Sequence, residues 1–376
     1  MIKVLLVIGT RPEAIKLAPL INAFRKHSKS FDTKVCITAQ HRELLDQVLT
    51  FFKIKPDYDL NLMKPNQNLY ETTASIILKL KPILEQNKPR YVFVHGDTTT
   101  TLSASLASFY NETKICHIEA GLRTYNKKSP FPEEMNRQIT TRLADYHFAP
   151  TKESKQNLIN ENINKDNILV TGNTVIDSLL TSIKKIKKSP SLNIKNLSLD
   201  LKNYEVILVT FHRRENFGEG FIKICKALKE IALKNPNRFI VFPVHLNPEV
   251  QKPVNNILLN INNIILLEPL TYEDFIWIMN RSKLIITDSG GIQEEAPSLG
   301  KPVLVLRDTT ERPEAVKAGT VLLVGTNKNL IVNETLDLLN NSLRYKNISR
   351  LYNPYGDGKA CKRIINYIMK LENIQS

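Results

Sequence analysis

The chain has 376 residues, of which 42% are hydrophobic and 24% are charged, as in an ordinary folded protein. This composition excludes a disordered or fibrous protein, and the length favours two domains over one. No apolar run reaches the roughly 18 residues of a membrane helix, so we expect a cytoplasmic protein that does not insert into a membrane. The net charge of +15 is compatible with nucleic acid, an acidic membrane surface or an anionic small molecule.

The four cysteines are far apart and show no Cys-x-x-Cys spacing, which argues against both a disulfide framework and a zinc site. We therefore predict that they are buried free thiols: Cys36, Cys116, Cys225 and Cys361. No bound metal and no cofactor are expected.

Short apolar segments rich in valine, isoleucine and leucine alternate with segments of helical periodicity. Uninterrupted apolar runs predict strands covered on both faces. In chain order the pattern predicts strand 4–8, helix 12–27, helix 69–86, strand 91–94, strand 114–116, strand 206–209, helix 221–233, strand 239–242, helix 272–279, strand 284–286, strand 302–306 and a C-terminal helix within 355–371. Such alternation predicts an α/β fold with doubly wound parallel sheets.

The pattern lapses into a polar, lysine-rich stretch with a proline between residues 181 and 204, where we place the connection between two domains. The first domain then comprises residues 1–180 with the C-terminal helix 357–376, and the second comprises residues 205–356. The segments that open the two domains, 4–13 and 206–215, resemble each other, which suggests two similar Rossmann-like domains.

Many of the basic residues lie on the predicted connection and show no interleaved aromatic residues, which favours a solvated surface over a nucleic-acid patch. Examples are Lys184, Lys185, Lys187, Lys188, Lys195 and Lys202.

Open parallel sheets bind ligands beyond the carboxyl ends of their strands, so the loops there are the candidate sites. Segment 287–297 follows a predicted strand and has the sequence TDSGGIQEEAP. Gly290 and Gly291 permit close approach of the backbone to a phosphate, Ser289 adds a hydroxyl, and Glu295 could accept from ribose hydroxyls. A tight strand–helix turn with an ordinary N-cap explains the same loop equally well.

Two further strand-end loops carry basic residues. Arg312 lies in segment 307–314 and could pair with phosphate oxygens, although a surface ion pair is an equal alternative. Arg11 and Lys16 follow the first strand and could both face an anion.

Acidic residues and histidines also lie at strand ends, in the segments His95-Gly96-Asp97 and 117–123, at Glu133, and at His212. Each of them alone would more often cap a helix than transfer a proton. Several such groups at carboxyl ends in both halves favour proton-transfer chemistry at a common site.

Eight segments together resemble the bacterial non-hydrolysing UDP-N-acetylglucosamine 2-epimerases, in order from residue 4 to about residue 326: 9–16, 40–42, 95–101, 117–123, 132–137, 171–173, 212–216 and 287–314. The resemblance implies a GT-B fold, with two Rossmann-like domains and a cleft between them. It also implies a homodimer and the interconversion of UDP-GlcNAc and UDP-ManNAc, through elimination of UDP to 2-acetamidoglucal and its re-addition.

By matching position, the resemblance places the catalytic groups at Asp97, Glu119, Glu133 and His212. It places the substrate-binding residues at Arg11, Lys16, Asp97, Glu119, His212, Leu270, Phe275, Ser289, Gly290, Gly291, Glu295 and Arg312. Leu270, through its backbone, and Phe275 would border the uracil. Which carboxylate removes the C2 proton and which returns it stays open.

Some bacterial members of the family bind a second UDP-GlcNAc as an activator. Gln40, His41, Arg213 and His245 match that site, whereas Asn66 stands where the resemblance predicts an arginine.

Three alternatives remain at this point: a GT-B glycosyltransferase, a hydrolysing 2-epimerase that releases ManNAc and UDP, and a basic protein that binds nucleic acid or a membrane surface. The first shares the UDP loop, and fold alone does not separate it from an epimerase. The third accounts for the charge of +15 but leaves the acidic strand-end residues unexplained.

Overall fold

Two parallel β-sheets organise the chain, which we describe from a computed structural model over residues 1–38, 42–62, 68–188 and 203–374, without the side chains of 42–44 and 187–188. Contacts divide it into two units. Unit 1 comprises Met1–Thr181 and Tyr355–Ser376, and unit 2 comprises Ser182–Pro354. Each unit contains its own parallel sheet, which confirms the predicted fold class of two α/β domains.

The elements of unit 1 alternate along the chain as β1 (Ile2–Ile8), α1 (Arg11–Lys26), β2 (Phe31–Ile37), α2 (Arg42–Phe52), β3 (Tyr58–Asp59), α3 (Leu69–Asn87), β4 (Tyr91–His95), α4 (Thr99–Tyr110), β5 (Lys114–Ile118), α5 (Glu133–Leu143), β6 (Tyr146–Ala149), α6 (Lys152–Asn160), β7 (Ile168–Val170) and α7 (Thr174–Lys188). The strand order in the sheet is β3-β2-β1-β4-β5-β6-β7.

Unit 2 continues with β8 (Glu205–Thr210), α8 (Glu219–Lys234), β9 (Arg238–Pro243), α9 (Pro248–Leu258), β10 (Ile264–Leu267), α10 (Tyr272–Arg281), β11 (Leu284–Thr287), α11 (Gly290–Glu295), β12 (Val303–Val305), α12 (Pro313–Lys317), β13 (Val321–Leu323), α13 (Lys328–Asn340) and α14 (Ser342–Ser349). Its strand order is β10-β9-β8-β11-β12-β13. The last helix of the chain, α15 (Ala360–Leu371), belongs to unit 1.

The central strands are buried on both faces, which explains their uninterrupted apolar sequences. Residues 4–8 of β1 and 206–209 of β8 are at most 1% exposed. The core of unit 2 joins β8, β9 and β11 to α8, α9 and α13, and a second cluster joins β1, β4 and α3 in unit 1. Burial of this apolar surface stabilises each sheet at about 25 cal/mol per Å². All four cysteines are buried free thiols, as predicted.

Helix α15 is fastened to unit 1 by a buried carboxylate. Asp177 of α7 accepts hydrogen bonds from the backbone amides of Ala360 (3.1 Å) and Cys361 (3.0 Å), the first residues of α15. These amides have no partner within the helix, so the carboxylate acts as a cap supplied from another element. The C-terminus thereby completes a unit built mostly from the first half of the chain.

The connection predicted over 181–204 begins inside helix α7, which continues to Lys188. The reason is that apolar residues persist at helical spacing through Ile186, which is 8% exposed. Lys184 and Lys185 on this last part of α7 are exposed. The lysines at 195 and 202 lie outside the described residues.

In both sheets the order reverses direction between two neighbouring strands. The reversal falls between β1 and β4 in unit 1 and between β8 and β11 in unit 2. At such a point the following loops diverge and leave a crevice at the carboxyl ends of the strands. The loops singled out from the sequence at Arg11, Asp97, His212 and Gly290 follow these four strands.

Candidate active site

The loops after β1 and β4 in unit 1 are joined by the carboxylate of Glu13, which is 1% exposed. One of its oxygens accepts two backbone amides and the other accepts two hydroxyls: Gly9 N (3.0 Å), Thr10 N (2.7 Å), Thr98 Oγ1 (2.8 Å) and Thr101 Oγ1 (3.2 Å). Burial raises the pKa of Glu13, and the hydrogen bonds, which lower it, offset this only in part. Glu13 therefore fixes the segments that carry Arg11 and Asp97 relative to each other.

Asp97, next to this junction, does not cap a helix. The N-cap of α4 is Thr98, whose hydroxyl accepts from Thr101 N. The Asp97 carboxylate instead accepts from Arg137 Nη2 (2.6 Å), and Asn136 donates to its backbone carbonyl (2.9 Å). Its side chain is 26% exposed. The capping explanation for this strand-end acid is therefore wrong.

Several charges act on Asp97 in opposite directions. Burial raises its pKa, the Arg137 guanidinium lowers it, and the negative charges of Glu119 and Glu133 raise it further. Glu133 is the first residue of α5, the helix that also carries Arg137. The net result is a raised pKa, which suits a carboxyl group that must exchange a proton.

Glu119 follows β5 with a backbone φ of 63°, in the left-handed region that residues other than glycine rarely adopt. Its carboxylate pairs with Lys16 Nζ and accepts from Asn173 Nδ2 at 2.6 Å, and His95 Nε2 lies 3.6 Å away. The carboxylate is 7% exposed. Lys16 was expected to face a phosphate. In the structure it contacts Glu119, a predicted catalytic carboxylate.

The histidines in the two strand-end segments of unit 1 are buried. His95 is 3% exposed and His117 is 0% exposed, and burial lowers their pKa values to about 4 and about 3. His117 lies within β5 and its Nε2 is 2.7 Å from the carbonyl oxygen of Gly96. Burial therefore favours the neutral form of both rings, and their part in proton transfer stays a prediction.

In unit 2 the loops after β8 and β11 meet at Asp288, which is completely buried. Its Oδ2 accepts from the backbone amides of His212 and Arg213, both at 2.8 Å, and Arg213 Nε donates to its backbone carbonyl at 3.2 Å. The ring of His212 stacks on that of His245 with centroids 5.0 Å apart. His212 and Arg213 are thus presented together at the carboxyl end of the sheet.

Gly290 lies against the guanidinium of Arg312. A Cβ atom at residue 290 would come within 2.4 Å of Arg312 Nη1 and 2.5 Å of its Cζ. The guanidinium is held by Glu294 Oε1 (2.6 Å from Nε) and faces Glu311 (3.5 Å from Nη1). Gly291 has no such neighbour, since its Cβ would meet only Glu295 Oε2 at 4.0 Å. The first glycine is therefore required for the close approach of this arginine.

Ser289 occupies the N-cap position of α11, but its side chain makes no capping hydrogen bond. The explanation of this loop as an ordinary capped turn therefore lacks its main contact. Glu295, at the end of α11, is 8% exposed. Leu270 and Phe275 flank the start of α10 and are half-buried.

Segment 307–314 of unit 2, which carries Arg312, is held in place by ion pairs. Arg307 binds Glu215 (2.8 Å) and Glu311 (2.6 Å). Although burial opposes it, the hydrogen bond from Arg307 and the charge of Arg312 lower the pKa of Glu311 to about 2. Glu311 therefore stays ionised and holds the loop that carries Arg312.

The residues that fasten these groups were not predicted from the sequence. Glu13 had a readable signal, because Thr10-x-x-Glu13 is a capping box and the structure forms both of its hydrogen bonds. Asn173 and Arg137 were within recognised segments without an assigned role. Of the residues matched to a second UDP-GlcNAc site, Arg213 and His245 lie in unit 2, whereas Gln40 and His41, like Asn66, fall outside the described residues.

Within the described ranges, no group of three or more His, Cys, Asp or Glu side chains is arranged to hold a metal ion. In that part of the chain we also find no helix with the length and apolarity needed to span a bilayer.

Comparison with known proteins extends the match over almost the whole chain. The family model described as UDP-N-acetylglucosamine 2-epimerase matches residues 23–369. The chain is 56% identical to the UDP-N-acetylglucosamine 2-epimerase of Campylobacter jejuni, covering 100% of this chain and 99% of that protein. It is 57% identical to the protein of that name from Escherichia coli K12, with 96% and 97% coverage.

Solved structures of UDP-GlcNAc 2-epimerases are also similar to this chain. The UDP-GlcNAc 2-epimerase of Neisseria meningitidis, crystallised with UDP-GlcNAc, superposes with a TM-score of 0.90 at 53% identity, covering 98% of this chain and 100% of that one. The Methanocaldococcus jannaschii enzyme, crystallised with UDP-GlcNAc and UDP, has a TM-score of 0.81 at 32% identity, with 98% and 100% coverage. By sequence and by structure, this chain belongs to the UDP-N-acetylglucosamine 2-epimerase family.

Proposed function

We propose that this protein interconverts UDP-GlcNAc and UDP-ManNAc without net hydrolysis, by anti elimination of UDP to 2-acetamidoglucal and re-addition of UDP. The product would supply ManNAc-type sugars for cell-surface polysaccharide. Family membership supports the substrate class. The chemistry of the two strand-end sites supports the type of reaction.

Inversion at C2 is demanding because the C2 proton is not adjacent to a carbonyl group. Its removal must be coupled to departure of a stabilised anion, here UDP, and its return must occur on the opposite face. At least two acid/base groups with different environments are therefore needed. Asp97 has a raised pKa, whereas Glu119 is held by Lys16 and Asn173.

The observation that carries the proposal is the environment of Asp97. Its carboxylate is tied to Arg137 rather than to a helix terminus, and the charges of Glu119 and Glu133 reach it. A glycosyltransferase would generally require one such group and an acceptor site. Several interacting carboxylates in unit 1 favour proton transfer at carbon on both faces of a sugar.

Unit 2 would hold the leaving group. We assign Ser289, Gly290, Gly291 and Arg312 to the diphosphate, Glu295 to the ribose, and Leu270 with Phe275 to the uracil. His212 would contact the departing diphosphate, and Arg11 of unit 1 would bind the same ligand. Positive groups facing the diphosphate lower the barrier to its departure.

The proposal is tested by incubating the protein with UDP-GlcNAc in heavy water and following the products by NMR. We expect UDP-ManNAc with deuterium at C2, without added nicotinamide cofactor or metal. Free ManNAc as the main product would favour the hydrolysing alternative. Product that retains the C2 proton would exclude the elimination mechanism.

Amide variants test the assignment of the carboxylates. Asp97→Asn, Glu119→Gln and Glu133→Gln should each reduce C2 exchange by at least about 10²-fold, because an amide cannot accept the proton. UDP affinity, measured by calorimetry, should stay within about threefold. Glu85→Gln on the exposed face of α3 is the matched control, and a comparable loss there would contradict the assignment.

Two further proposals rest on the family resemblance. We propose a homodimer, which light scattering would show as a species of twice the mass of 42.9 kDa. We also propose that Arg213 and His245, with Gln40 and His41, bind a second UDP-GlcNAc as an activator. Hyperbolic kinetics in UDP-GlcNAc, together with turnover of UDP-ManNAc alone, would exclude this activation.

A further inference from the structure

Asp288 has one carboxylate oxygen that its structural role does not use. Oδ2 accepts both backbone amides that anchor the loop after β8, at 2.8 Å each. Oδ1 is buried and makes no hydrogen bond within the described residues. It lies 3.9 Å from Nδ1 of His212, whose side chain is 48% exposed. The unused oxygen therefore faces the one catalytic candidate of unit 2.

This geometry has a chemical consequence for the imidazole. A buried carboxylate oxygen without a donor is costly, and a proton on His212 Nδ1 would satisfy it after a small rotation of the ring. Catalytic hydrogen bonds are often long before substrate binds. An Nδ1–H held in this way leaves Nε2 as the atom that faces outward, and a carboxylate behind the ring stabilises its protonated form.

The groups that face His212 act in both directions. Burial lowers its pKa, the Asp288 carboxylate raises it, and electrostatic interaction with His245 and with the Arg213 guanidinium lowers it. His245 is stacked on the ring with an interplanar angle of 12°, and Arg213 is the next residue in the chain. The net result is a lowered pKa of His212, and Asp288 is the group that counteracts the other three and favours the imidazolium.

We propose that Asp288 is a positioning residue for His212: it accepts a hydrogen bond from Nδ1–H and stabilises the imidazolium, whose second proton, on Nε2, is donated in a hydrogen bond to the oxygen of the departing diphosphate. This inference rests on the proposed elimination of UDP. In that step one of the carboxylates proposed as acid/base groups (Asp97, Glu119 or Glu133) takes the C2 proton, the C2–H electron pair forms the C1–C2 double bond, and the C1–O pair leaves with the diphosphate oxygen. The hydrogen bond from Nε2–H stabilises the charge on that oxygen.

Asp288→Asn separates this role from simple anchoring of the loop. The side-chain carbonyl of asparagine can still accept both backbone amides, so the loop keeps its anchor. The other atom becomes an NH₂ donor that faces Nδ1, which favours the opposite tautomer and no longer stabilises a positive ring. The substitution thus changes the chemistry of His212 with little change of shape.

The first measurement needs no substrate. Titration of ¹⁵N-labelled histidine in the full-length protein, with His212 assigned through His212→Asn, should show an Nδ1–H tautomer in the wild type. In Asp288→Asn we expect the Nε2–H tautomer and a lower pKa for His212. The same tautomer and the same titration in both proteins would overturn the proposal.

The second measurement uses turnover. Asp288→Asn should lower kcat by about tenfold, because a neutral Nε2–H still donates but the positive charge of the imidazolium is lost, with the Kd for UDP changed by less than about threefold. In the His212→Asn background, Asp288→Asn should change kcat by less than about twofold, because its effect passes through the missing ring. Equal losses in both backgrounds, or parallel losses of UDP affinity and thermal stability, would instead identify a purely structural anchor.

The two hypotheses fail in different ways. If the wild type shows no deuterium incorporation at C2, the proposed function is wrong, while the NMR titration still tests the pairing of Asp288 with His212. If the wild type is active and the titration is unaffected by Asp288→Asn, only the positioning role is wrong.

Discussion

The first strand of each unit ends in a similar segment, residues 4–13 and 206–215, yet different carboxylates anchor the loops that follow. In unit 1, Glu13 accepts the amides of Gly9 and Thr10. Its counterpart in unit 2, Glu215, is 48% exposed and pairs with Arg307. There the amides of the loop are accepted by Asp288, which lies 76 residues beyond His212.

The difference shows that similar strand-end sequences can present side chains in two ways. The anchor of unit 1 is local, since Glu13 is the third residue of the helix that its own loop begins. The anchor of unit 2 is long-range and exists only because β8 and β11 are neighbours. The loop of unit 1 is therefore part of α1, whereas the loop of unit 2 depends on the sheet.

The largest effect expected from this comparison concerns Glu13. Glu13→Ala should lower the free energy of unfolding by about 3 kcal/mol or more, because it leaves the amides of Gly9 and Thr10 and the Thr98 hydroxyl without their acceptor. The Thr101 hydroxyl keeps the His95 carbonyl oxygen as an acceptor. Glu13→Gln should cost much less, since its carbonyl can keep the amides and the hydroxyls can rotate. Urea unfolding, with hydrogen exchange of unit 1 amides, measures both variants.

The matched control is Glu215→Ala, which removes the aligned carboxylate of unit 2. We expect a loss below about 1 kcal/mol, because this half-exposed ion pair is screened by solvent. A loss as large as that of Glu13→Ala would contradict the distinction between the two anchors.

The wild type should also lose stability relative to Glu13→Gln as the pH rises. Burial raises the pKa of Glu13 in the folded state, so the unfolded chain ionises this group first. As the pH rises from the usual pKa near 4.5 to the raised pKa of the folded state, the wild type should become progressively less stable than the glutamine variant. A difference that is independent of pH would contradict a raised pKa.

A second prediction uses the buried histidines of unit 1. Burial lowers the pKa of His147 to about 4, so between that value and 6.5 the unfolded chain binds a proton that the folded chain does not. Stability therefore falls as the pH falls through this window. Between pH 7 and pH 5, the wild type should lose about 2 kcal/mol relative to His147→Gln, as measured by urea unfolding.

His245→Gln is the matched control for this second prediction, since His245 is an exposed histidine of unit 2. A pH-dependent difference of similar size in the control would show that burial is not the cause.

The smallest effect concerns the glycine pair of unit 2. Gly290→Ala should weaken UDP binding by about tenfold, or about 1.4 kcal/mol, because the new methyl group displaces the Arg312 guanidinium. Glu85→Gln, on the exposed face of α3, is the control. Calorimetry with UDP measures both variants, and an affinity of Gly290→Ala equal to that of the wild type would remove Arg312 from the proposed diphosphate site.

The sequence was most informative where structure depends on local pattern. Strands such as β4 and β11 were predicted because burial on both faces leaves an unbroken apolar run. Strand β2 was missed because its first half carries the partly exposed polar residues Asp32, Thr33 and Lys34. The extension of α7 to Lys188 was missed because its lysines concealed the buried Ile186.

The candidate site residues were likewise predictable only where they depend on a local sequence pattern. The segments around Asp97, Glu119 and His212 were identified from sequence, since each directly follows or ends a recognisable strand. The contacts that distinguish their chemistry were not predictable in this way. His95 and His117 look equally suitable in sequence, and only the structure shows that both are buried within unit 1.

By itself, the sequence determined the alternation of strands and helices, the division into two α/β domains and the positions of the polar strand-end segments. These properties depend on local patterns of burial and periodicity. Only the tertiary structure decided the strand orders, which place β1 beside β4 and β8 beside β11. Those neighbours bring Glu13 to Thr98 and Asp288 to His212, because pairing between distant strands is set by the packing of the whole sheet and not by any local pattern.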